Sequence, residues 1–151
     1  MLNSDYLRRH NEVVKCIHLH LCRAYGIKRG RKLKAHSVQS IISTHNAEIR
    51  VDTSIMTETK VQSNKPDIFV HDKTKQEITL IEVGITLQDR LKHVETEKFH
   101  KYDLLANELS ILYYVKIKII PIVLKRDGVV SRYFKNYMDR LSIEKATRTY
   151  I

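Results

Sequence analysis

The sequence predicts an α/β domain in which a central mixed sheet lies between helices. Three observations predict it. Apolar residues recur at helical spacing near both ends of the chain and in its second half. Short β-rich runs with alternating polar positions lie between these helical stretches. The 151 residues suit one domain, spanning 1–151, built around one core.

Tyr6, His10, Val13, Ile17, Leu21 and Ala24 share one helical face, so residues 4–25 read as an amphipathic helix that Gly26 ends. A basic loop follows, carrying Lys28, Arg29, Arg31, Lys32 and Lys34. Residues 47–52 alternate and read as a strand. Residues 68–71 and 77–83 are β-rich and are joined by the polar turn Asp72-Lys73-Thr74-Lys75, which predicts a hairpin. Leu91, Val94, Leu105, Leu109 and Leu112 predict one long helix over 88–112. Residues 113–124 read as another strand, where Pro121 points to a bulge, a sheet edge or the strand's end. A closing helix is expected over 129–141.

The formal charge of +10 favours a polyanionic partner and leaves the fold open. Two cysteines are too few for a disulfide scaffold and fit a reducing compartment. No apolar run is long enough to span a membrane, and the first nine residues do not resemble a signal peptide.

Asp67 and Glu82 lie symmetrically about the predicted turn. In an antiparallel pair they would face each other and point to one side of the sheet. Two carboxylates so close repel unless a cation compensates them. Their hard oxygens suit Mg²⁺ or Mn²⁺ better than zinc. The alternative is a pair of independent strand-end carboxylates. On the long helix, Lys98 falls within the apolar stripe, with Lys101 on one edge and Tyr102 on the other. A core-facing ammonium is costly unless paired, so Lys98 either snorkels to solvent or reaches the carboxylates, where it could stabilise phosphoryl charge. Lys101, one turn on, is the second candidate for that role.

His10 likewise lies on an apolar stripe, and with Arg8 and Arg9 beside it and the basic loop it is a candidate DNA contact, the arginines binding phosphate. Glu12, off the stripe, is a candidate third acid. Cys16, His18, His20 and Cys22 resemble zinc ligands by type, but helical geometry scatters them around the axis.

Taken in order, Arg9-His10-Asn11, Val51-Asp52, Asn64-Lys65-Pro66-Asp67-Ile68, Leu80-Ile81-Glu82-Val83, Glu97-Lys98, Lys101-Tyr102 and Ile120-Pro121-Ile122-Val123 resemble the restriction-like endonuclease domain of site-specific non-LTR retrotransposons, within the PD-(D/E)XK nuclease superfamily. The resemblance covers roughly residues 6–143. It implies a restriction-endonuclease-like core with a central four-stranded mixed sheet flanked by helices. It implies metal-dependent nicking of double-stranded target DNA, which exposes a 3′-hydroxyl that primes reverse transcription of the element RNA. Asp67 and Glu82 would be the two acids, with the Val83 peptide oxygen completing the metal shell. The superfamily places a lysine two residues after the second acid, where this chain has Gly84. In the retrotransposon branch that lysine moves to the next helix in a Lys-x-x-Lys-Tyr context, which Lys98, Lys101 and Tyr102 match. The family domain follows a reverse transcriptase domain and a zinc knuckle in a polyprotein, so the resemblance implies a C-terminal fragment or a degenerate stand-alone copy. A nuclear location is expected for a eukaryotic element, and an intracellular one otherwise; a homodimer is compatible with the pattern. The rival readings are a Holliday-junction resolvase or repair nuclease of the same superfamily, a catalytically inactive DNA-binding module, and a basic protein of a ribonucleoprotein.

Overall fold

The computed structural model describes residues 2–27, 38–86, 91–125 and 136, with nothing assigned to the side chains of residues 2–4, 91, 92 and 95. The elements run α1 (Leu2–Ala24), β1 (Ile41–Ser43), β2 (Ala47–Val51), β3 (Ile68–Asp72), β4 (Glu77–Thr86), α2 (Leu91–His100), α3 (Asp103–Tyr113) and β5 (Lys116–Lys125). The strands form one sheet in the order β1-β2-β3-β4-β5. The first three pairings are antiparallel, and β4 and β5 are parallel. A parallel pair needs a crossover, and α2 and α3 supply it. The class is therefore α/β with a mixed sheet flanked by helices, as expected, but with five strands instead of four.

The additional strand is β1, three residues at the sheet edge with only Ile42 buried. Strand β4 runs to Thr86, three residues past its expected end, and further boundaries also differ from expectation. The helix expected over 88–112 is two helices that meet at Lys101 and Tyr102. The last strand starts at Lys116, because Tyr113 closes α3 and Tyr114 takes a left-handed conformation with φ 54°. Pro121 lies on β5, the edge strand, where a missing N–H leaves no inner ladder bond unmade. The basic loop and the helix expected over 129–141 lie outside the described residues, Asn136 excepted.

Each face of the sheet carries its own core. On one face Val13, Val14, Ile17 and Leu21 of α1 cluster with Ile49, Val51, Ile68, Val70, Ile81, Val83, Ile122 and Leu124. On the other, Tyr102, Leu105 and Leu109 cluster with Ile55, Val61, Phe69, Ile78 and Leu80. Alternation along β4 thus sends Ile81 and Val83 toward α1, and Ile78 and Leu80 toward α3. Burial of each such side chain contributes about 1.5–3 kcal/mol before chain entropy is counted.

Helix α1 ends at a left-handed Gly26 with φ 72°. Ile27 N–H donates to the Cys22 carbonyl at 2.8 Å and Gly26 N–H to that of Arg23 at 3.2 Å. This pattern caps two carbonyls that the helix would otherwise leave free. Its second half departs from a one-sided stripe: Cys16, His18, Leu19, His20 and Cys22 are buried along with Ile17 and Leu21. The ends of the expected stripe, Tyr6 and Ala24, are exposed instead.

Candidate functional site

The β3–β4 register opposes Ile68 to Ile81 and Asp72 to Glu77. One step beyond the ladder, the same register opposes Asp67 to Glu82. Pro66, buried just before Asp67, fixes its own φ and holds Lys65 out of the helical region, so the chain enters β3 extended. On the other side of β3, Asp52 N–H donates to the Asp67 carbonyl at 3.0 Å, which continues the β2–β3 pairing. Asp52 then turns off the sheet with φ 50°, a conformation that aspartate tolerates better than most residues.

The two acids interlock through the backbone. Asp67 N–H donates to Glu82 Oε1 at 3.3 Å, and Val83 N–H donates to Asp67 Oδ2 at 2.7 Å. His10 Nε2 lies 3.1 Å from the same Asp67 oxygen. Burial pushes the Asp67 carboxyl upward, but the His10 hydrogen bond, the Val83 N–H and the His10 charge outweigh it, and its pKa lies below the ordinary value. The bond to Asp67 raises the His10 pKa against the opposing effect of burial.

Glu82 is buried at 3% exposure. Its Oε2 accepts from Lys101 Nζ at 2.7 Å and from Lys98 Nζ at 3.4 Å. Its Oε1 accepts from the Tyr102 hydroxyl at 3.0 Å. That hydroxyl also lies 3.1 Å from the Lys65 carbonyl, so one proton is divided between two acceptors. Burial, then the Glu82 charge and hydrogen bond, raise the Tyr102 pKa far above the phenolic range. Tyr102 is therefore a neutral donor. A buried carboxylate is costly unless ion-paired and hydrogen-bonded, and Glu82 is both.

The fold thus brings together Asp67, Glu82, Lys98, Lys101 and Tyr102, and adds His10, which the sequence had grouped with DNA contacts. Val83 is present through its N–H. Lys98 does not snorkel away; its ammonium turns to Glu82. Arg8 stays at the surface and pairs with Asp5 at 3.0 Å. Arg9 is half-buried on α1. Glu12 is exposed and lies about 200° around the helix from His10, the α1 residue that meets Asp67. Lys28, Arg29, Arg31, Lys32 and Lys34 fall outside the described residues.

Sequence reasoning missed Asp52 and Lys65. Their side chains approach to 3.6 Å at the exposed rim of the site. Only their places in the Val51-Asp52 and Asn64-Lys65 motifs could have marked them.

The acidic pair suits a hard divalent cation held by few protein ligands, since Mg²⁺ commonly binds through one or two carboxylates and keeps several waters. The ammonium groups on Glu82 show that the site attracts positive charge. Among the described residues no group of three or more His, Cys, Asp or Glu side chains could hold a metal. Cys16, His18, His20 and Cys22 accordingly form no zinc site: all four are buried along α1, with Cys22 Sγ and His18 Nδ1 3.8 Å apart. No described helix is long and apolar enough to cross a membrane.

No protein-family model matches the chain, and no curated protein matches it. Among solved structures the chain is similar to one titled as an N-terminal domain of a reptarenavirus L protein. The identity is 18%, the match covers 91% of this chain and 66% of that one, and the TM-score is 0.43. The chain spans slightly less than two thirds of that neighbour, and so distant a likeness carries no functional weight.

Proposed function

We propose that this chain is a divalent-metal-dependent DNA endonuclease domain. The observation that supports it most is the meeting of Asp67 and Glu82 at the hairpin's open end, with the ammonium groups of Lys98 on α2 and Lys101 at the α2–α3 joint turned toward Glu82. Asp67 and Glu82, with the Val83 carbonyl, are the residues that would hold Mg²⁺ or Mn²⁺. Such an ion, when bound, supplies a Lewis acid against a phosphodiester.

The chain's own groups do the rest. Lys98 and Lys101 place positive charge where a scissile phosphate would acquire negative charge. Tyr102 fixes the Glu82 carboxylate through Oε1 and leaves Oε2 to the lysines. His10 and the Val83 N–H keep Asp67 ionised and oriented. Arg8, Arg9 and the loop of Lys28, Arg29, Arg31, Lys32 and Lys34 would grip the duplex backbone without reading its sequence. The motif resemblance narrows the role to the nick that opens target-primed reverse transcription of a non-LTR retrotransposon. The element RNA and the reverse transcriptase domain would be its partners, in the nucleus if the element is eukaryotic.

The test is nicking of supercoiled plasmid in Mg²⁺ or Mn²⁺ by the wild-type protein, Asp67→Asn and Glu82→Gln. Both substitutions should reduce nicking to background while leaving the folded state intact. Equal nicking by all three proteins would end this reading. A second reading is a DNA-binding module without catalysis, favoured by the occupation of Glu82 with chain donors on both oxygens. Salt-sensitive DNA binding with no metal-dependent cleavage would select it.

A further inference from the structure

Strand β4 alternates, so Glu82 and Gly84 point to the same face as Leu80, where α2 and α3 lie. Gly84 is the residue over which Lys98 passes. A Cβ built at Gly84 would stand 3.2 Å from Lys98 Cε, 3.3 Å from Val94 Cγ1 and 3.8 Å from Lys98 Cγ. The lysine stem therefore lies along the bare backbone of Gly84, and its ammonium ends 3.4 Å from Glu82 Oε2. The Cε that a Cβ would crowd is the carbon bonded to the ammonium nitrogen.

We propose that Gly84 is a positioning residue: by presenting no side chain, it opens the lane that seats the Lys98 stem and sets the Lys98 ammonium at Glu82. The consequence for catalysis rests on the nuclease reading above; the seating itself does not. Backbone conformation gives no competing reason for the glycine. Gly84 is absent from the residues with positive φ, and alanine normally suits a strand interior better than glycine. The glycine is therefore explained by what lies above it. Lys101 reaches the same oxygen and contributes none of the three atoms nearest a Cβ at Gly84, so it serves as an internal control.

The geometry also permits an exchange. Residues two apart on a strand stand about 6.6 Å apart on one face, within reach of an extended lysine. A lysine at position 84 could thus present its ammonium to Glu82 once the Lys98 stem is removed.

The experiment has two readouts. The first is acetylation of individual lysines by an amine-reactive ester, followed by mass spectrometry, on metal-free protein. In Gly84→Ala the Lys98 rate should rise about threefold or more, while Lys101 stays within error of wild type. Unchanged Lys98 labelling in a folded Gly84→Ala protein overturns the proposal. Should Gly84→Ala fold poorly, Gly84→Ala/Val94→Ala relieves the Val94 contact, retains the Lys98 contact and is read in the same way. The second readout is plasmid nicking. Gly84→Ala should lose about tenfold, less than the roughly 10²–10³ that outright removal of such a donor costs, and Gly84→Lys/Lys98→Ala should nick faster than Lys98→Ala alone. A double variant no faster than Lys98→Ala counts against the proposal. If no protein nicks, including wild type, the nuclease reading fails while the labelling still decides whether Gly84 seats Lys98.

Discussion

At the scale of single residues, the site depends on polar atoms held out of water. Tyr102 is 1% exposed, and its hydroxyl serves both Glu82 and the Lys65 carbonyl. Tyr102→Phe keeps the ring and removes the donor shared by the buried Glu82 Oε1 and the part-buried Lys65 carbonyl. It should cost about 1–3 kcal/mol in urea unfolding, and nicking should fall with the loss of Glu82 orientation. His20 offers a second measurement, away from the site. Burial first, and the Arg23 charge second, lower its pKa to about 4 from 6.5. Among the described residues its Nε2 has no hydrogen-bond partner. The unfolded chain therefore takes up a proton near pH 6.5 that the folded chain refuses until about pH 4. Stability contributed by neutral His20 is complete above 6.5 and falls as pH drops, at up to about 1.4 kcal/mol per pH unit. Unfolding free energies from urea titrations at pH 7 and pH 4.5 should differ by about 2 kcal/mol more in wild type than in His20→Leu. Equal pH dependence in the two proteins would exclude His20 as the source.

At the scale of elements, the β3–β4 hairpin sets the register that builds the acidic pair. Its turn, residues 73–76, ends in Gln76 with φ 53°, exposed and strained for a residue with a Cβ. Gln76→Gly should relieve this and raise stability by about 0.5–1 kcal/mol, read as a higher melting temperature with unchanged nicking. This hairpin was legible in the sequence because its turn residues and its two carboxylates share one centre of symmetry. Lys98 was legible as a candidate because a charge on an apolar stripe must either find a partner or snorkel to solvent. The joint between α2 and α3 was not. Lys101 N–H still donates to the Glu97 carbonyl, and Ala106 N–H to that of Tyr102, so helical bonding continues on both sides of the joint. No proline or glycine marks it. Strand β1 escaped because three residues with one buried side chain carry too little alternation to detect. Burial around the second half of α1 depends on tertiary packing that periodicity does not encode.

At the scale of the whole molecule, the charge of +10 leads to a binding prediction. If duplex DNA is the partner, its affinity should fall linearly with salt on logarithmic axes, by about 0.9 decade per decade of salt for each phosphate neutralised. A flat response would argue against backbone contacts as the source of affinity. The mixed sheet with helices on both faces could be read from the order of elements, whereas the meeting of His10 with Asp67 could not, since it depends on how α1 crosses the sheet. The pairing of Glu82 with Lys98 and Lys101 has one more consequence. The protein supplies its own counter-ions, so its architecture is independent of the ion supply that its chemistry would require. Treatment with a chelator should leave the melting temperature within about a degree of its starting value, unlike domains whose metal is part of the fold. Such a protein could be made and stored without divalent ions and become competent when they arrive.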